Sequence, residues 1–481
     1  MSSKNSVGNW SIRLLGLRIL NYKYHFLLFF ISFFLLARFN FDPDLGWHLF
    51  YGKHFLETGQ ILSGDISSWT MPGYAWANSY FLYQVIVAWL FENIHFAQTA
   101  LIFGLIAAVS VVILLPQKIN FWHLPIVFLT LIIAIANIGL RPHTASFAFF
   151  AILIVLLSRR VFEKRSGLLI WFLLFALWAN FHRGFLAGLF FLVSFLILEA
   201  LSQPMPLRKK RLILAFGSII AAFLGTFVTP HAAAVWKDNV FLDITSFENI
   251  AYVSEWQSPA IFFPANILMA FSGAIFAYLF FKKTSKDNLP YFISASFLFA
   301  LAFISVNFVF FWAAIFIFLS TRYFQFDFRI SLDRPSKFFA AVISGCVILA
   351  FFLSFAGLYI KSLNLQSTLY LQGYPKGAVS YLKTRNLDIN SGLFNEYNWG
   401  GYLVWRQIPV FIDGRMASWK NDETSILADY IAILRGDCAV FQKYKIKLAL
   451  LKKERENRCF GEFEKIYEDE NSKILVSPAM R

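Results

Sequence analysis

A succession of apolar blocks almost free of charge is the feature that most limits how this chain can fold. Most blocks are roughly 16–22 residues long, enough for a helix to cross the hydrocarbon core of a bilayer. The 481 residues are 58% hydrophobic and include 59 Phe, more than a soluble core of this size could enclose. We therefore predict an α-helical polytopic membrane protein with about 11–12 hydrophobic helices. The candidate spans are Tyr24–Phe39, Tyr80–Phe96, Thr99–Leu115, Leu124–Leu140, Ala145–Leu157, Leu168–Asn180, Phe185–Leu201, Leu212–Val228, Ile261–Phe281, Tyr291–Val306, Phe308–Leu319 and Phe338–Ile360.

Basic residues lie in short clusters between these blocks and predict their orientation. A net charge of +15 distributed in this way is typical of cytoplasmic loops rather than of a nucleic-acid-binding surface. We expect a multi-pass protein of the bacterial cytoplasmic (inner) membrane, with residues 1–23 in the cytoplasm and the first loop, residues 40–79, outside it. No signal-peptide cleavage pattern precedes the first block, so we expect that block to be retained as an anchor. The basic clusters begin at Lys4, Arg159, Arg208, Lys282 and Arg322.

The number of crossings between the first loop and the Arg159 cluster is not settled by this pattern. Four apolar blocks lie between them, whereas an outside loop and an inside cluster require an odd number of crossings. Either the first of these blocks lies along the membrane interface or one of the next two does not cross. We prefer Tyr80–Phe96 as the non-crossing block, because Glu92, Asn93 and His95 stand near its end.

The composition changes at about residue 361, where charged residues become frequent and the apolar runs become short. A membrane module over residues 24–360 is therefore predicted to be followed by a small extracytoplasmic α/β domain over residues 361–481. Cys438 and Cys459 are able to form a disulfide if this domain is extracytoplasmic. The predicted strands are Gly392–Tyr397, Val410–Asp413, Leu448–Lys452 and Lys473–Val476, and the predicted helices are Lys376–Arg385 and Asp422–Leu434.

Two carboxylates, Asp42 and Asp44, flank Pro43 at the start of the first loop. Proline biases the residue before it toward an extended backbone, in which side chains two positions apart share a face. Both carboxylates are then able to address one ligand, either as a pair that binds a divalent cation or as a base plus a positioning group. A low dielectric and a like charge nearby are expected to raise the pKa of one of them. The structural alternative is that Asp44 caps a helix over 45–56.

That helix is predicted to be amphipathic and to lie in the membrane interface, with Leu45 and Leu49 toward lipid. His48 follows Asp44 by one turn, so the two side chains are expected to be able to meet. Asp65, in the turn-like segment SGDISSWT, is a further candidate for substrate binding.

Polar residues at the ends of the predicted spans gather on the same outer side as the first loop. Any one of them is more often an interfacial side chain that reaches toward water. Ionisable groups at membrane depth are costly, however, and as a set they usually mark function. The set therefore predicts an outward-facing cavity. Its candidate substrate-binding residues are Arg141, His143, His182, Arg183, His231, Glu255 and Trp256.

Several segments together resemble the GT-C superfamily of membrane glycosyltransferases and, more closely, a bacterial family of GT-C-like membrane proteins. The resemblance covers most of the chain. It implies transfer of a sugar from a polyprenyl-phosphate-linked donor to an extracytoplasmic glycan, lipid or protein acceptor, without a nucleotide cofactor. The segments are DPDLGWHLFYGKHFLETGQILSGDISSWTMPGYAWAN, RPHTASF, WANFHRGFLAG, EWQSP, LFNEYNWGGYLVWR and VFIDGRM.

The resemblance also implies roles for individual residues. Asp42 or Asp44 is expected to be the catalytic base or the carboxylate that positions the acceptor, and both are candidate ligands if a divalent cation is bound. Arg141, His182 and Arg183 are expected to contact the donor phosphate, because the guanidinium fork suits phosphate oxygens.

The segment after Asn78 departs from the pattern of the family. Acidic or imidazole side chains are expected there, whereas the chain has Ser79, Tyr80 and Gln84. Two non-catalytic alternatives therefore stay open: a transporter or flippase for lipid-linked glycans, and a glycan-assembly scaffold with a degenerate site. A transporter is typically built from inverted repeats with spans interrupted near the midplane, and we find neither in the sequence.

A polar and aromatic cluster in the C-terminal domain is interpreted as an acceptor-recognition site, because sugar faces stack on aromatic rings. The alternative is that Trp399 and Trp405 are core residues and that the Asp413–Gly414–Arg415 turn carries an internal salt bridge. The cluster comprises Asn395, Glu396, Trp399, Asp413 and Arg415.

Overall fold

The structure is a computed structural model that describes residues 22–164, 166–243, 246–324, 356–357, 359–360, 371–385, 389, 392–421 and 425–480. The predicted cytoplasmic segment 1–23 and the predicted span Phe338–Ile360 lie almost wholly outside the described residues.

Apolar helices build the larger part of the described chain. By length and composition, Phe81–Leu114, Ala265–Lys283 and Val306–Tyr323 can each cross a membrane, and six further apolar helices are 10–17 residues long. The helices are α1 (Lys23–Leu36), α2 (Leu45–Thr58), α3 (Phe81–Leu114), α4 (His123–Ala134), α5 (Pro142–Ser158), α6 (Gly167–Ala179), α7 (Phe185–Leu201), α8 (Met205–Gly225), α9 (Ala234–Trp236), α10 (Phe247–Tyr252), α11 (Ala265–Lys283), α12 (Leu289–Ile304), α13 (Val309–Tyr323), α14 (Lys376–Thr384), α15 (Gly400–Trp405), α16 (Ile426–Leu434) and α17 (Cys438–Lys443).

Helix α13 is the centre of the helical module. Every side chain from Val309 to Thr321 is buried, as expected for a helix that is apolar on all sides and surrounded by other helices. It packs against α4, α5, α11 and α12. Outside this core, α1 packs along α3, and α6 packs along α8.

Helix α3 joins two segments that the sequence predicted as separate spans. Its backbone is continuous but kinks at His95, where φ is 64°. After the kink, α3 runs antiparallel to α1: Gly104 touches Ala37 at the end of α1, and His25 near its start bonds the Pro116 carbonyl at 2.8 Å. Only this second half therefore extends along the full length of α1.

The first half of α3 contacts the end of α6 and helix α2. The Leu82 N–H bonds the Asn180 carbonyl at 2.9 Å, and Glu92 near the other end pairs with Lys53 of α2 at 3.0 Å. Whether the segment Tyr80–Phe96 crosses the membrane stays a prediction.

The C-terminal part contains a four-stranded sheet formed by β1 (Leu393–Asn395), β2 (Leu448–Lys452), β3 (Glu464–Glu468) and β4 (Ser472–Val476). The strand order is β1-β2-β4-β3. β1 is parallel to β2, and the other pairs are antiparallel. Strand β3 was not predicted, because its sequence EKIYE is largely polar and exposed. The predicted disulfide is present, with the Cα atoms of Cys438 and Cys459 5.2 Å apart.

The predicted strand Val410–Asp413 was wrong. Apart from one isolated bridge between Ser68 and Val410, this segment has no strand partner in the described chain. The Asn395 side chain instead bonds the backbone of Phe411 at 2.8 Å and of Ile412 at 2.9 Å. A side-chain amide thus takes the backbone bonds that a neighbouring strand would have made.

The C-terminal domain packs directly on the first loop. Helix α15 lies against α2, and the contact is so close that a Cβ atom at Gly46 would overlap the Gly401 carbonyl, and one at Gly401 the Pro43 carbonyl. The prediction that Leu45 and Leu49 face lipid was therefore wrong, since both are at most 3% exposed. The C-terminal domain covers the face of α2 that was assigned to lipid.

Candidate functional site

A polar cavity of about 280 Å³ lies where the first loop, the helical module and the C-terminal domain meet. Of the predicted site residues it exposes Asp44, Arg141, Arg183, Glu255 and Trp256. The cavity therefore brings together residues from four separate parts of the chain, whereas its outward orientation stays a prediction. Its wall also includes Trp47, Tyr80, Asp238, Asn239, Tyr397, Asn398, Gly414, Arg415 and Trp419.

Arg141 is the electrostatic centre of this cavity. It stands in extended backbone immediately before α5, whose Pro142 fixes the first helical turn. Its Nε pairs with Asp42 at 2.8 Å, and its Nη2 pairs with Glu255. Burial favours protonation of Glu255, but the charge and hydrogen bond of Arg141 hold the pKa of this carboxyl below its usual value. Arg141 thus joins the first loop to the loop before α11.

Asp42 and Asp44 make different contacts, although both belong to one D-P-D motif. Asp42 lies behind Arg141 and accepts a hydrogen bond from the Asp44 backbone N–H at 3.0 Å. Asp44 faces the cavity and accepts from Trp47 Nε1 at 3.0 Å. Its side chain makes no capping bond to α2, so the structural alternative of a helix cap was wrong.

The Asp44 carboxyl can take up or release a proton near neutral pH. Burial, then the like charges of Asp42 and Glu255, raise its pKa to about 7. Burial also raises the pKa of Asp42, although Arg141 opposes this. Burial is therefore the main physical reason for the raised pKa of Asp44, and the two neighbouring carboxylates add to it.

Arg183 also lines the cavity and lies in the turn between α6 and α7. Its guanidinium lies 5.6 Å from the ring centroid of Trp256, a cation–π distance. The turn is fixed locally, because the Asn180 side chain bonds the carbonyls of Ala176 and Val228 at 2.8 and 2.6 Å. The cavity wall therefore contains a second guanidinium besides that of Arg141.

Asp65 is close to the cavity but is already occupied. It pairs with Arg415 of the C-terminal domain at 3.0 Å, with both side chains at most 1% exposed. It also accepts from the hydroxyl groups of Ser67 and Ser68. Arg415 in turn donates to Tyr51 and forms the expected salt bridge with Asp413, both at 2.5 Å. This network ties the first loop to the C-terminal domain.

Four predicted histidines line none of the described cavity wall. His48 is 1% exposed and its ring packs against Trp47, with ring centroids 3.6 Å apart. Its backbone N–H bonds the Asp44 carbonyl at 3.3 Å, but no contact between the two side chains is described. His143 and His182 form a buried pair with centroids 4.4 Å apart, close in sequence to the cavity residues Arg141 and Arg183. His231 is half-buried.

The segment before α10 contributes two residues to the cavity wall that were not predicted from the sequence. The Asp238 carboxylate accepts from the Ala77 N–H at 2.5 Å, and the Asn239 side chain donates to Ser79 at 2.7 Å. The only signal was the polar run Lys237–Asn239, which resembles an ordinary loop. Ser79 therefore contributes by accepting the hydrogen bond that positions Asn239. It does not take the role of the acidic side chain that was expected in this segment.

The described residues do not form a metal site. No group of three or more His, Cys, Asp or Glu side chains in the described ranges has the spacing to hold a metal ion. Asp42 is committed to Arg141, so the D-P-D motif offers one open carboxylate. The binding of a divalent cation therefore stays a prediction, and the reaction proposed below does not use one.

A second, mainly apolar cavity of about 300 Å³ adjoins the polar one. The two share Arg141, Ser254 and Glu255, and the apolar walls come from α4, α11 and α13, with Phe262 at 38% exposure. An apolar cavity between helices thus borders Arg141.

Comparison with solved structures places the chain in a known fold. The crystal structure of ArnT from Cupriavidus metallidurans bound to undecaprenyl phosphate aligns over 97% of this chain and 99% of that one, with a TM-score of 0.51 and 11% identity. AglB from Archaeoglobus fulgidus, in complex with an inhibitory peptide and a dolichol-phosphate, covers 90% of this chain and 70% of its own, with a TM-score of 0.47 and 11% identity.

No family model matches the sequence, and no curated protein matches it. The likeness to ArnT shows a shared fold, in agreement with the GT-C-like fold that the sequence resemblance implies. At 11% identity it concerns the fold, because activity resides in particular side chains rather than in architecture.

Proposed function

We propose that this protein is a membrane glycosyltransferase that moves a sugar from a polyprenyl-phosphate-linked donor to an acceptor outside the cytoplasm of a bacterial cell. The observation that carries the proposal is the polar cavity in which the open carboxylate of Asp44 faces Arg141 and Arg183. A base and two guanidinium groups around one space are what transfer from a phosphate leaving group requires.

The adjoining apolar cavity supports a lipid-linked donor. Such a donor combines an apolar chain with an anionic head, and here the apolar cavity borders Arg141. In the proposed complex the chain lies between α4, α11 and α13, and the phosphate meets Arg141 and Arg183. The GT-C-like fold is shared with the ArnT structure, which is bound to undecaprenyl phosphate.

Asp44 is the proposed general base. It takes the proton from an acceptor hydroxyl while that oxygen forms a bond to the anomeric carbon of the sugar. The bond between this carbon and the phosphate oxygen breaks, and the polyprenyl phosphate leaves with the electron pair. The guanidinium groups offset the charge that develops on the phosphate. Asp42 and Glu255 act as positioning residues, since their ion pairs fix the orientation of Arg141.

An extracytoplasmic position for the C-terminal domain is part of this proposal. The Cys438–Cys459 disulfide supports it, because disulfides persist in oxidising compartments. The domain supplies Tyr397, Asn398 and Gly414 to the cavity wall, so donor, acceptor and base would all meet on that side of the membrane.

The test is transfer of radiolabelled sugar from a panel of polyprenyl-phosphate donors by purified full-length protein. We expect Asp44→Asn to reduce transfer at least about a hundredfold, in the range of general-base catalysis. Arg183→Ala is expected to weaken donor use. Asp287→Asn, which removes an exposed carboxylate in the loop before α12, is the matched control and should leave transfer unchanged.

Two results would count against the proposal. If folded wild-type protein binds lipid-linked sugar but transfers none, a flippase becomes the better interpretation. If it neither binds nor transfers with partner membranes supplied, a scaffold does. Repeating the assay with EDTA tests separately whether transfer requires a divalent cation. If Asp44 acts as the base without a metal, EDTA should leave transfer unchanged.

A further inference from the structure

A third cavity opens between the C-terminal domain and the helical module and continues the polar cavity. It measures about 280 Å³. The two cavities share the wall residues Val253, Ser254, Tyr397 and Asn398. A ligand that fills the third cavity can therefore extend one end past Asn398 toward Asp44.

Tyrosine rings form much of this third cavity. Tyr252 and Tyr397 are half-buried, so part of each ring is available to a ligand. Tyr430 is buried and accepts a hydrogen bond from the Tyr397 N–H at 3.0 Å, which fixes the backbone of the shared wall. Partly exposed rings beside hydrogen-bonding groups are suited to the faces and hydroxyl groups of sugars.

The charged groups around the third cavity leave an excess of positive charge. Glu396 accepts two hydrogen bonds from Arg455, both 2.9 Å, so this pair is neutral. Lys452 lines the cavity, and its ammonium has no ion-pair partner among the described residues. Arg435 lies over the ring of Tyr252 at 5.5 Å. Lys452 thus adds a cation to the cavity wall, and Arg435 adds one beside a tyrosine of that wall.

We propose that the third cavity is the acceptor subsite and that it binds an anionic saccharide. This inference rests on the proposed function. The sugar rings contact Tyr252 and Tyr397, a carboxylate or phosphate of the saccharide pairs with Lys452, and one hydroxyl reaches Asp44 past Asn398. Of the predicted acceptor cluster, Glu396 lines this third cavity, whereas the side chains of Asn395 and Trp399 are buried.

Calorimetry without donor tests the subsite on full-length protein in detergent. The probes are tetragalacturonate, which is anionic, and maltotetraose, which is neutral. We expect tetragalacturonate to bind at least about tenfold more tightly than maltotetraose, because a charge-assisted hydrogen bond contributes that much. Lys452→Gln is expected to remove this difference, and Lys452→Arg to retain it.

Lys453→Gln is the matched control. Lys453 is the next residue, is 50% exposed and turns toward Glu468 at 3.5 Å, so its loss should leave the affinity for tetragalacturonate unchanged. Melting curves of each variant exclude unfolding as the cause of lost binding. Equal affinity for both probes, or an unaffected Lys452→Gln variant, would overturn the subsite.

A further pair of measurements separates the subsite from the proposed reaction. Asp44→Asn should keep the preference for tetragalacturonate over maltotetraose, because that preference depends on Lys452, while its transfer of sugar falls at least about a hundredfold. Binding that depends on Lys452 in a protein without transferase activity would retain the subsite and refute the reaction. If the protein transfers sugar but the KM for an anionic acceptor is the same in Lys452→Gln and in wild type, the reaction would be retained and the subsite refuted.

Discussion

Gly414 of the C-terminal domain lies directly against the carboxylate of Asp44 in the first loop. A Cβ atom at position 414 would overlap Asp44 Oδ1. The two residues are far apart in sequence, and the contact forms only because the Asp413–Arg415 turn docks on the first loop through Asp65. The C-terminal domain thus forms part of the wall beside the proposed base.

Gly414→Ala should therefore impair transfer without unfolding the protein. The added methyl group displaces the end of the Asp44 side chain, and a misplacement of about 1 Å is enough to cost on the order of a hundredfold in rate. Steady-state transfer kinetics and melting curves measure the two effects. Gly217→Ala, where the new Cβ meets Leu168 at an ordinary 3.4 Å, should leave the rate unchanged. A Gly414→Ala variant with wild-type rate would refute this role.

The pH dependence of transfer should follow the ionisation of Asp44. Its pKa of about 7 means that the base is half protonated at that pH, so activity should rise with pH and level off above about pH 8. A pH profile of kcat/KM checks this. Activity that remains constant down to pH 5 would show that another group accepts the proton.

The same carboxyl should influence stability in the opposite direction. Its pKa rises from 3.8 to about 7 on folding, so the folded state binds this proton more tightly than the unfolded state. Its contribution to stability is complete below about pH 4 and is lost as the pH rises through about 7. Asp44→Asn should remove this dependence, so the variant should melt at a temperature equal to or above that of wild type at pH 8.

Arg415→Ala should destabilise the protein strongly. The substitution leaves the buried carboxylates of Asp65 and Asp413 without their cation, and removing one partner of a buried ion pair costs about 3–5 kcal/mol. Denaturant unfolding followed by tryptophan fluorescence provides the measurement. Lys443→Ala breaks a pair with Asp429 in which Lys443 is 43% exposed, and it should cost less than about 1 kcal/mol. Comparable losses for both variants would contradict the proposed interdomain role.

Reduction of the disulfide should loosen the C-terminal domain. Cys438 and Cys459 are 21 residues apart, and closing a loop of this length contributes roughly 3 kcal/mol in the chain-entropy description. Dithiothreitol, or Cys459→Ser, should lower the melting temperature, with wild type under oxidising conditions as the reference. An unchanged melting temperature would mean that α17 is held by packing alone.

The helical part was predictable because its determinants are local. An apolar block must satisfy its backbone polar groups within itself when no water is present, and a helix does so. Span ends such as Lys23–Leu36 and Phe185–Leu201 therefore agree with the predicted blocks to within a few residues. The kink at His95 was not predictable, because it depends on how α3 turns from the first loop to lie along α1.

The candidate site was only partly predictable. Arg141 and Glu255 were recognised because ionisable residues at the ends of apolar blocks are unusual, and Asp44 because of the D-P-D motif. The first criterion also selected His231, and helical spacing from Asp44 selected His48. Burial separates these groups: His48 is enclosed by aromatic rings, whereas Asp44 stands on the cavity wall.

By itself the sequence determined the mostly helical class, the small C-terminal sheet and the residue types of the candidate site. The tertiary structure alone decided that the C-terminal domain covers α2, that Arg415 pairs with Asp65 and that Gly414 meets Asp44. The physical reason is the distance along the chain over which the determining interactions act. Hydrophobic length and turn chemistry act over a few residues, whereas these contacts join segments about 350 positions apart and exist only once the chain has folded.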